Sequence, residues 1–146
     1  MVLVLGGNGF IGYNLVKRLA VRERVKVFDR AWKHDKQNAN IEFVAGDFRD
    51  MNFDKLLNGV DTVFHLISSS VPYDGTDGMI QDIEDNVLPT IRFVRAMKRK
   101  NIRKIFFVSS GGTVYGECSK PAKEHDRLSP ECIYAAQKVC IETYLH

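Results

Sequence analysis

Cysteine is scarce in this sequence, and nothing in its placement suggests a ligand set. Cys118, Cys132 and Cys140 form no CxxC pair, and no histidine clusters with them. That pattern argues against a disulfide framework and against a metal centre, so no metal is expected. Long hydrophobic runs are also missing. No window is apolar for long enough to span a bilayer. The apolar start is too short for a signal peptide, and glycine interrupts it. No membrane partner is expected, and the chain reads as cytoplasmic. Net charge is small, +3 over 146 residues. The cations gather at Arg92, Arg95, Lys98, Arg99, Lys100, Arg103 and Lys104, with no stacking aromatics interleaved. A surface for nucleic acid combines both features, whereas a solvated helix end needs only the cations, which suit its dipole. No nucleic-acid partner is expected. No internal repeat or low-complexity linker divides the chain, whose length fits one domain.

What the sequence does have is an apolar fraction of 45%, enough for a real core, arranged in short runs. Val2-Leu3-Val4-Leu5 ends in Gly6-Gly7-Asn8-Gly9-Phe10-Ile11-Gly12, and a helical pattern follows at once. This reads as a buried strand, a tight turn and a helix N-terminus. A glycine at the turn permits positive φ, and the missing Cβ lets a pyrophosphate approach the backbone. The helix then offers free N–H groups and the positive end of its dipole. Gly6, Gly9 and Gly12 are the phosphate-binding candidates, and Phe10 and Ile11 stand inside the same motif. The first helix runs from about 10 to 21, with Phe10, Ile11, Leu15, Val16 and Leu19 as its expected buried face.

Further strands are expected at 25–28, 41–44, 62–66 and 105–108. Between them fall a short helix at 52–57 and a long one at about 79–99, and a last helix begins near Ile133. Apolar strands spaced by helices give an α/β fold. It is a five-stranded, doubly wound parallel sheet of Rossmann type with helices on both faces. In such a sheet a cofactor lies at the carboxyl ends of the strands.

Residues at those ends carry the chemistry. Asp29 closes the second strand, 23 residues after Gly6. A carboxylate there accepts both ribose hydroxyls of NAD and repels a 2′-phosphate. Arg30, next in the chain, works against that preference. Asp47 closes the third strand, placed to accept from an adenine amino group, with Phe48 against the ring. His65 reads as a structural histidine, and the small residues Ser68, Ser69 and Ser70 after it leave room for a cofactor. Tyr134 and Lys138 stand at i and i+4 on one helix face. An ammonium there favours the tyrosinate, which serves as general base toward a substrate hydroxyl while hydride leaves the carbon.

Together these motifs resemble the extended short-chain dehydrogenase/reductase family, in particular NAD-dependent nucleotide-sugar epimerases and dehydratases, and most of all the UDP-glucose 4-epimerase group. The resemblance covers the whole chain. It rests on the glycine motif, Asp29, Gly46-Asp47-Phe48-Arg49-Asp50, His65-Leu66, Asp85-Asn86-Val87, Ser109-Ser110 with Val114-Tyr115-Gly116, and Tyr134 with Lys138. It implies that Leu66, Ile67 and Ser68 line the NAD and that Val108 and Ser109 flank the nicotinamide. It also implies that Asn86 holds the long helix near the active site and that Lys138 reaches the nicotinamide ribose. Three departures stand out. The family's catalytic Ser or Thr aligns with Gly111, leaving Ser110 or Thr113 to supply a hydroxyl. Pro89 stands where the family often has glycine. The chain stops inside the tyrosine helix, so residues 1–146 are expected to be the NAD-binding domain, truncated before a substrate domain that would bind the nucleotide sugar. The expected reaction is UDP-hexose 4-epimerisation by transient hydride transfer. The alternatives are an NAD(P)-dependent reductase of the same fold and a non-catalytic dinucleotide-binding module. The resembling family dimerises through the two long helices, so a homodimer is expected. In the first of these helices Ile80, Ile83, Val87, Ile91 and Val94 form the expected sheet-facing stripe.

Overall fold

The computed structural model describes residues 1–34, 38–72 and 78–146. The chain divides into two compact units. The first is Met1–Ile67 with Phe93–Val108, and the second is Ser68–Arg92 with Ser109–His146.

The first unit contains the whole sheet. Its strands are β1 (Val2–Leu5), β2 (Val25–Asp29), β3 (Ile41–Ala45), β4 (Thr62–His65) and β5 (Lys104–Phe107), all parallel, in the order β3-β2-β1-β4-β5. The central strand β1 is buried along its length, which explains its unbroken Val-Leu-Val-Leu run. Alternate residues of that run serve two cores. Val2 and Val4 pack with Val16 and Ala20 around helix α1 (Phe10–Leu19). Leu3 and Leu5 pack on the other side with Leu56 of α2 (Phe53–Leu56) and with Phe93, Ala96 and Met97 of α4 (Leu88–Arg99). Helices thus cover both faces, as expected for the doubly wound class. The α1 face is only partly covered. Phe64 of β4 and Phe106 of β5 stack there with ring centroids 4.7 Å apart, and Phe106 is 56% exposed.

In the second unit, α3 (Met79–Asp82), a π-helical turn (Ile83–Val87) and the start of α4 form one winding, and α5 (Ile133–Leu145) packs against α3 and the turn. The single helix expected over 79–99 is therefore interrupted. Pro89 has no N–H to give the Asp85 carbonyl, and its ring clashes with a regular turn there. The wide turn falls just ahead of it. The extra residue rotates the winding, so the buried face keeps Val87 of the expected stripe but not Ile80 or Ile83. Val87, Thr90, Phe93, Ala96 and Met97 are buried, while Ile80 is 74% and Ile83 54% exposed. The buried face of α1 also differs from the expected one. Phe10 and Ile11 are exposed, and Val16 is its fully buried apolar residue. Its first turn follows directly on the Gly6–Gly9 turn that leaves β1 at the carboxyl edge of the sheet.

Lys26 is a buried cation in the first unit. Its Nζ donates to the carbonyls of Leu56 (3.2 Å) and Asn58 (3.0 Å) and lies 3.5 Å from the Glu42 carboxylate. It thereby caps the last carbonyls of α2, which begins on an Asn52 side chain accepting from the Lys55 N–H at 3.0 Å. Lys26→Met keeps the length but leaves those carbonyls without a donor. It should lower stability by about 1–3 kcal/mol, read as a reduced urea midpoint at unchanged slope.

Candidate functional site

In the first unit, the glycine turn is built by close backbone contact. Gly6 has φ +80, a region that other residues rarely adopt. Its N–H donates to the Phe28 carbonyl at 2.9 Å, and its carbonyl accepts from Gly9 at 3.3 Å. A Cβ at Gly12 would run into that same carbonyl and would stand 2.7 Å from the Gly7 Cα. α1 therefore lies against the turn only because residue 12 has no side chain. At Gly9 the nearest atom to a Cβ would be 3.4 Å away, so this glycine keeps space open rather than permitting a contact. Gly9 also brings no side chain to cap α1, and no acid stands in its first turn. The first N–H groups remain available to an anion.

Several residues expected at the site come together around this turn. The Asp29 carboxylate accepts from the Asn8 N–H at 2.9 Å and from the Arg30 N–H at 2.7 Å. The acid and the turn are thus one hydrogen-bonded structure. Leu66 donates its N–H to the Leu5 carbonyl at 3.0 Å, and a Cβ on Gly6 would touch the Leu66–Ile67 peptide. Val108 donates to the His65 carbonyl at 3.1 Å, which brings it to the carboxyl edge of the sheet. Asp47 is forked by Arg49, whose Nε, terminal nitrogen and backbone N–H reach it at 2.8–3.0 Å. This pairing lowers its pKa to about 2. Phe48 does not fulfil the expected stacking role. Its ring is 5% exposed and packs among Phe28, Phe53 and Phe93, so core packing claims the side chain. His65 is buried, edge-on to Phe48, Phe93 and Phe107.

The second unit holds the proton-handling candidates. On α5 the Lys138 Nζ lies 5.5 Å from the centroid of the Tyr134 ring, within reach of a cation–π attraction. Burial pushes the Lys138 pKa down, and the Glu142 carboxylate opposes that shift. Asn86, in the π-turn, accepts from the Ser69 N–H at 2.9 Å and donates to the Ser69 hydroxyl at 2.8 Å. Gln137 donates to the Ser70 hydroxyl and to Asp82. Two helical elements therefore fix the Ser68–Ser70 segment. The Ser109 hydroxyl is buried, with no hydrogen-bond partner among the described residues. Thr113 turns its hydroxyl onto the Ser110 carbonyl at 3.3 Å. A Cβ at Gly111 would meet nothing within 4 Å, so packing does not demand glycine there. Among the described residues, no group of three His, Cys, Asp or Glu side chains could hold a metal ion. No described helix is long and apolar enough to cross a membrane.

The model of the NAD dependent epimerase/dehydratase family matches residues 2–146. The chain belongs to that family. A putative UDP-glucose 4-epimerase of Methanocaldococcus jannaschii is 35% identical over 99% of this chain and 50% of its own length. A dTDP-4-dehydro-6-deoxyglucose reductase of Escherichia coli is 32% identical over 99% of this chain and 49% of its own. Among solved structures, the UDP-N-acetylglucosamine 4-epimerase of Methanobrevibacter ruminantium M1, in complex with UDP-N-acetylmuramic acid, superposes with a TM-score of 0.88. It is 33% identical, and the match covers 99% of this chain and 48% of that one. MoeE5 in complex with UDP-glucuronic acid and NAD gives 0.89 at 28% identity, over 99% and 48% of the two chains. The chain thus spans about half the length of the family members it matches.

Some residues of this family member escaped the sequence reading. Asn8 carries no signal of its own within the glycine motif, yet its N–H holds Asp29, and its side-chain oxygen accepts from the Lys33 N–H at 3.0 Å. Gln137 carried no signal beyond being polar on an apolar helix. Glu142 did carry one, a second i to i+4 step after Tyr134 and Lys138.

The geometry separates two glycines of the motif. Gly9→Val should keep the fold and the melting temperature. Gly12→Ala should lower the melting temperature by several degrees, since backbone atoms block its methyl group. Circular dichroism melts of both variants check this.

Proposed function

We propose that this chain is the NAD-binding portion of a nucleotide-sugar epimerase or dehydratase, with 4-epimerisation of a UDP-hexose as its reaction. The observation that carries the catalytic part is the buried Lys138 ammonium beside the Tyr134 ring. A merely dinucleotide-binding module has no use for that pair. The glycine turn and the Asp29 carboxylate suit NAD, since the turn has no side chain where a pyrophosphate would pass and the acid suits a ribose diol. When bound, NAD supplies a reversible hydride acceptor. Tyr134 takes the proton from the sugar hydroxyl and later returns it, and Lys138 favours the tyrosinate form. Ser110 or Thr113 would donate a hydrogen bond to the reacting oxygen. Ser68, Asn86, Val108 and Ser109 are assigned to the cofactor and its surroundings, as are Leu66, Ile67, Arg30 and the backbone at Phe10, Ile11, Asp47 and Phe48. Substrate contacts beyond these belong to the half of the relatives' length that this chain does not span.

In an enzyme that includes this chain, Tyr134→Phe should lower kcat by at least about 100-fold, the usual worth of a positioned acid–base group. Unchanged turnover would overturn the reading. The 32% identity to a dTDP-4-dehydro-6-deoxyglucose reductase supports a second reading, a reductase that consumes NAD(P)H. Net loss of the 340 nm absorbance during turnover would select it over epimerisation.

For the isolated chain, Asp29→Ala should weaken NAD by about 2 kcal/mol, roughly 30-fold, and should narrow the preference over NADP. Calorimetry with both dinucleotides reads this directly.

The homodimer is proposed on an apolar surface that takes in Ile80 and Ile83, two residues expected to face the sheet. Met79, Ile80, Ile83 and Leu88 on one winding and Tyr144 on α5 are exposed within one unit, a surplus of the kind that marks an interface. Sedimentation should show a dimer that Ile83→Glu converts to a folded monomer. A dimer surviving that change would place the contact elsewhere. The thiols of Cys118, Cys132 and Cys140 are all free, which supports assignment to a reducing compartment such as the cytoplasm.

A further inference from the structure

α5 carries only two charged side chains, Lys138 and Glu142, in thirteen residues. They stand four residues apart, and so do Tyr134 and Lys138. Tyr134, Lys138 and Glu142 therefore follow one another along one side of the helix. Lys138 is 4% exposed, and a buried ammonium is costly unless an opposite charge compensates it. Glu142, half-buried one turn on, is badly placed for the helix itself. It lies in the last turn, where the dipole disfavours a carboxylate. An acid following its lysine is also the weaker order for an i to i+4 pair. Local helix stability therefore does not explain its position.

We propose that Glu142 is a positioning residue that anchors the buried Lys138 ammonium beside the Tyr134 ring. The proposal rests on the reading of Tyr134 as the base and adds a third member to its support. The other acids of the elements packed on α5 are committed or outward. Asp82 accepts from Gln137, Asp85 accepts from Gln81 at 2.8 Å, and Glu84 is exposed. Burial alone drives Lys138 toward its neutral form, and the Glu142 carboxylate resists this. Its negative charge is two helical turns from Tyr134 but only one from Lys138, so its larger effect is on the ammonium. With Glu142 neutralised, Lys138 loses its proton at lower pH. The phenol then faces a charged partner over a narrower pH range.

The test uses the 146-residue protein. Lysine side-chain NMR, assigned with Lys138→Arg, follows Lys138 through a pH titration. Tyrosinate absorbance, taken as a difference from Tyr134→Phe, follows Tyr134. Glu142→Gln, isosteric and neutral, should move the Lys138 midpoint down and the Tyr134 midpoint up. Glu142→Asp should restore part of both shifts, and it serves as the test through a smaller shift if the Gln variant does not fold. An unmoved Lys138 midpoint overturns the proposal. So does a Lys138 shift that leaves Tyr134 unmoved, because Glu142 would then act on the lysine alone. If both midpoints move but Tyr134→Phe leaves turnover intact in the enzyme, the base assignment falls and the anchoring of Lys138 stands.

Discussion

The contact between the Gly6 carbonyl and the bare Cα of Gly12 sets the rest of the first unit. It lets α1 start directly on the turn that leaves β1. That position aims the open end of the helix at the carboxyl edge of the sheet. It also brings Asn8 within reach of Asp29, so the end of β2 is tied to the same turn. A side chain at residue 12 would push the helix away and separate these parts together. The Gly6–Gly12 turn and Asp29 are thus one hydrogen-bonded assembly of backbone groups with a carboxylate at its rim.

The second unit is organised differently, by side-chain hydrogen bonds. Asn86 and Gln137 reach the Ser69–Ser70 segment from two helical elements, and Thr90 donates from one turn on to the Asn86 carbonyl at 2.6 Å. The π-turn is what offers Asn86 to Ser69 while its amide also reaches back to the Asp82 carbonyl at 3.3 Å. Pro89 forbids the regular turn in the residues just ahead of it. A local defect in the helix and a polar anchor are therefore parts of one arrangement.

The sheet was legible because each strand is a short apolar run bounded by turn residues, and the alternation with helices marked it as parallel and doubly wound. All five strands stand within one residue of where periodicity put them. Readings that depended on one side chain's direction fared less well. Phe48 looked like a stacking ring because it follows Asp47, but a strand end offers both a cofactor side and a core side, and the spacing does not choose between them. The stripe on the long helix failed for a geometric reason. A period of 3.6 was applied across a turn that does not keep it, so Ile80 and Ile83 came out facing solvent. Asn8 acts through its backbone N–H, which residue identity does not reveal. Glu142 was visible as spacing, but its meaning required the burial of Lys138.

The parallel rings of Phe64 and Phe106 have a practical bearing on handling the protein. They turn part of one sheet face into a flat, oily surface beside the open edge of β5. Flat apolar faces next to unpaired strand edges adhere to one another, with no geometry that closes the assembly. Added salt that screens its modest positive charge brings these faces together rather than dispersing them.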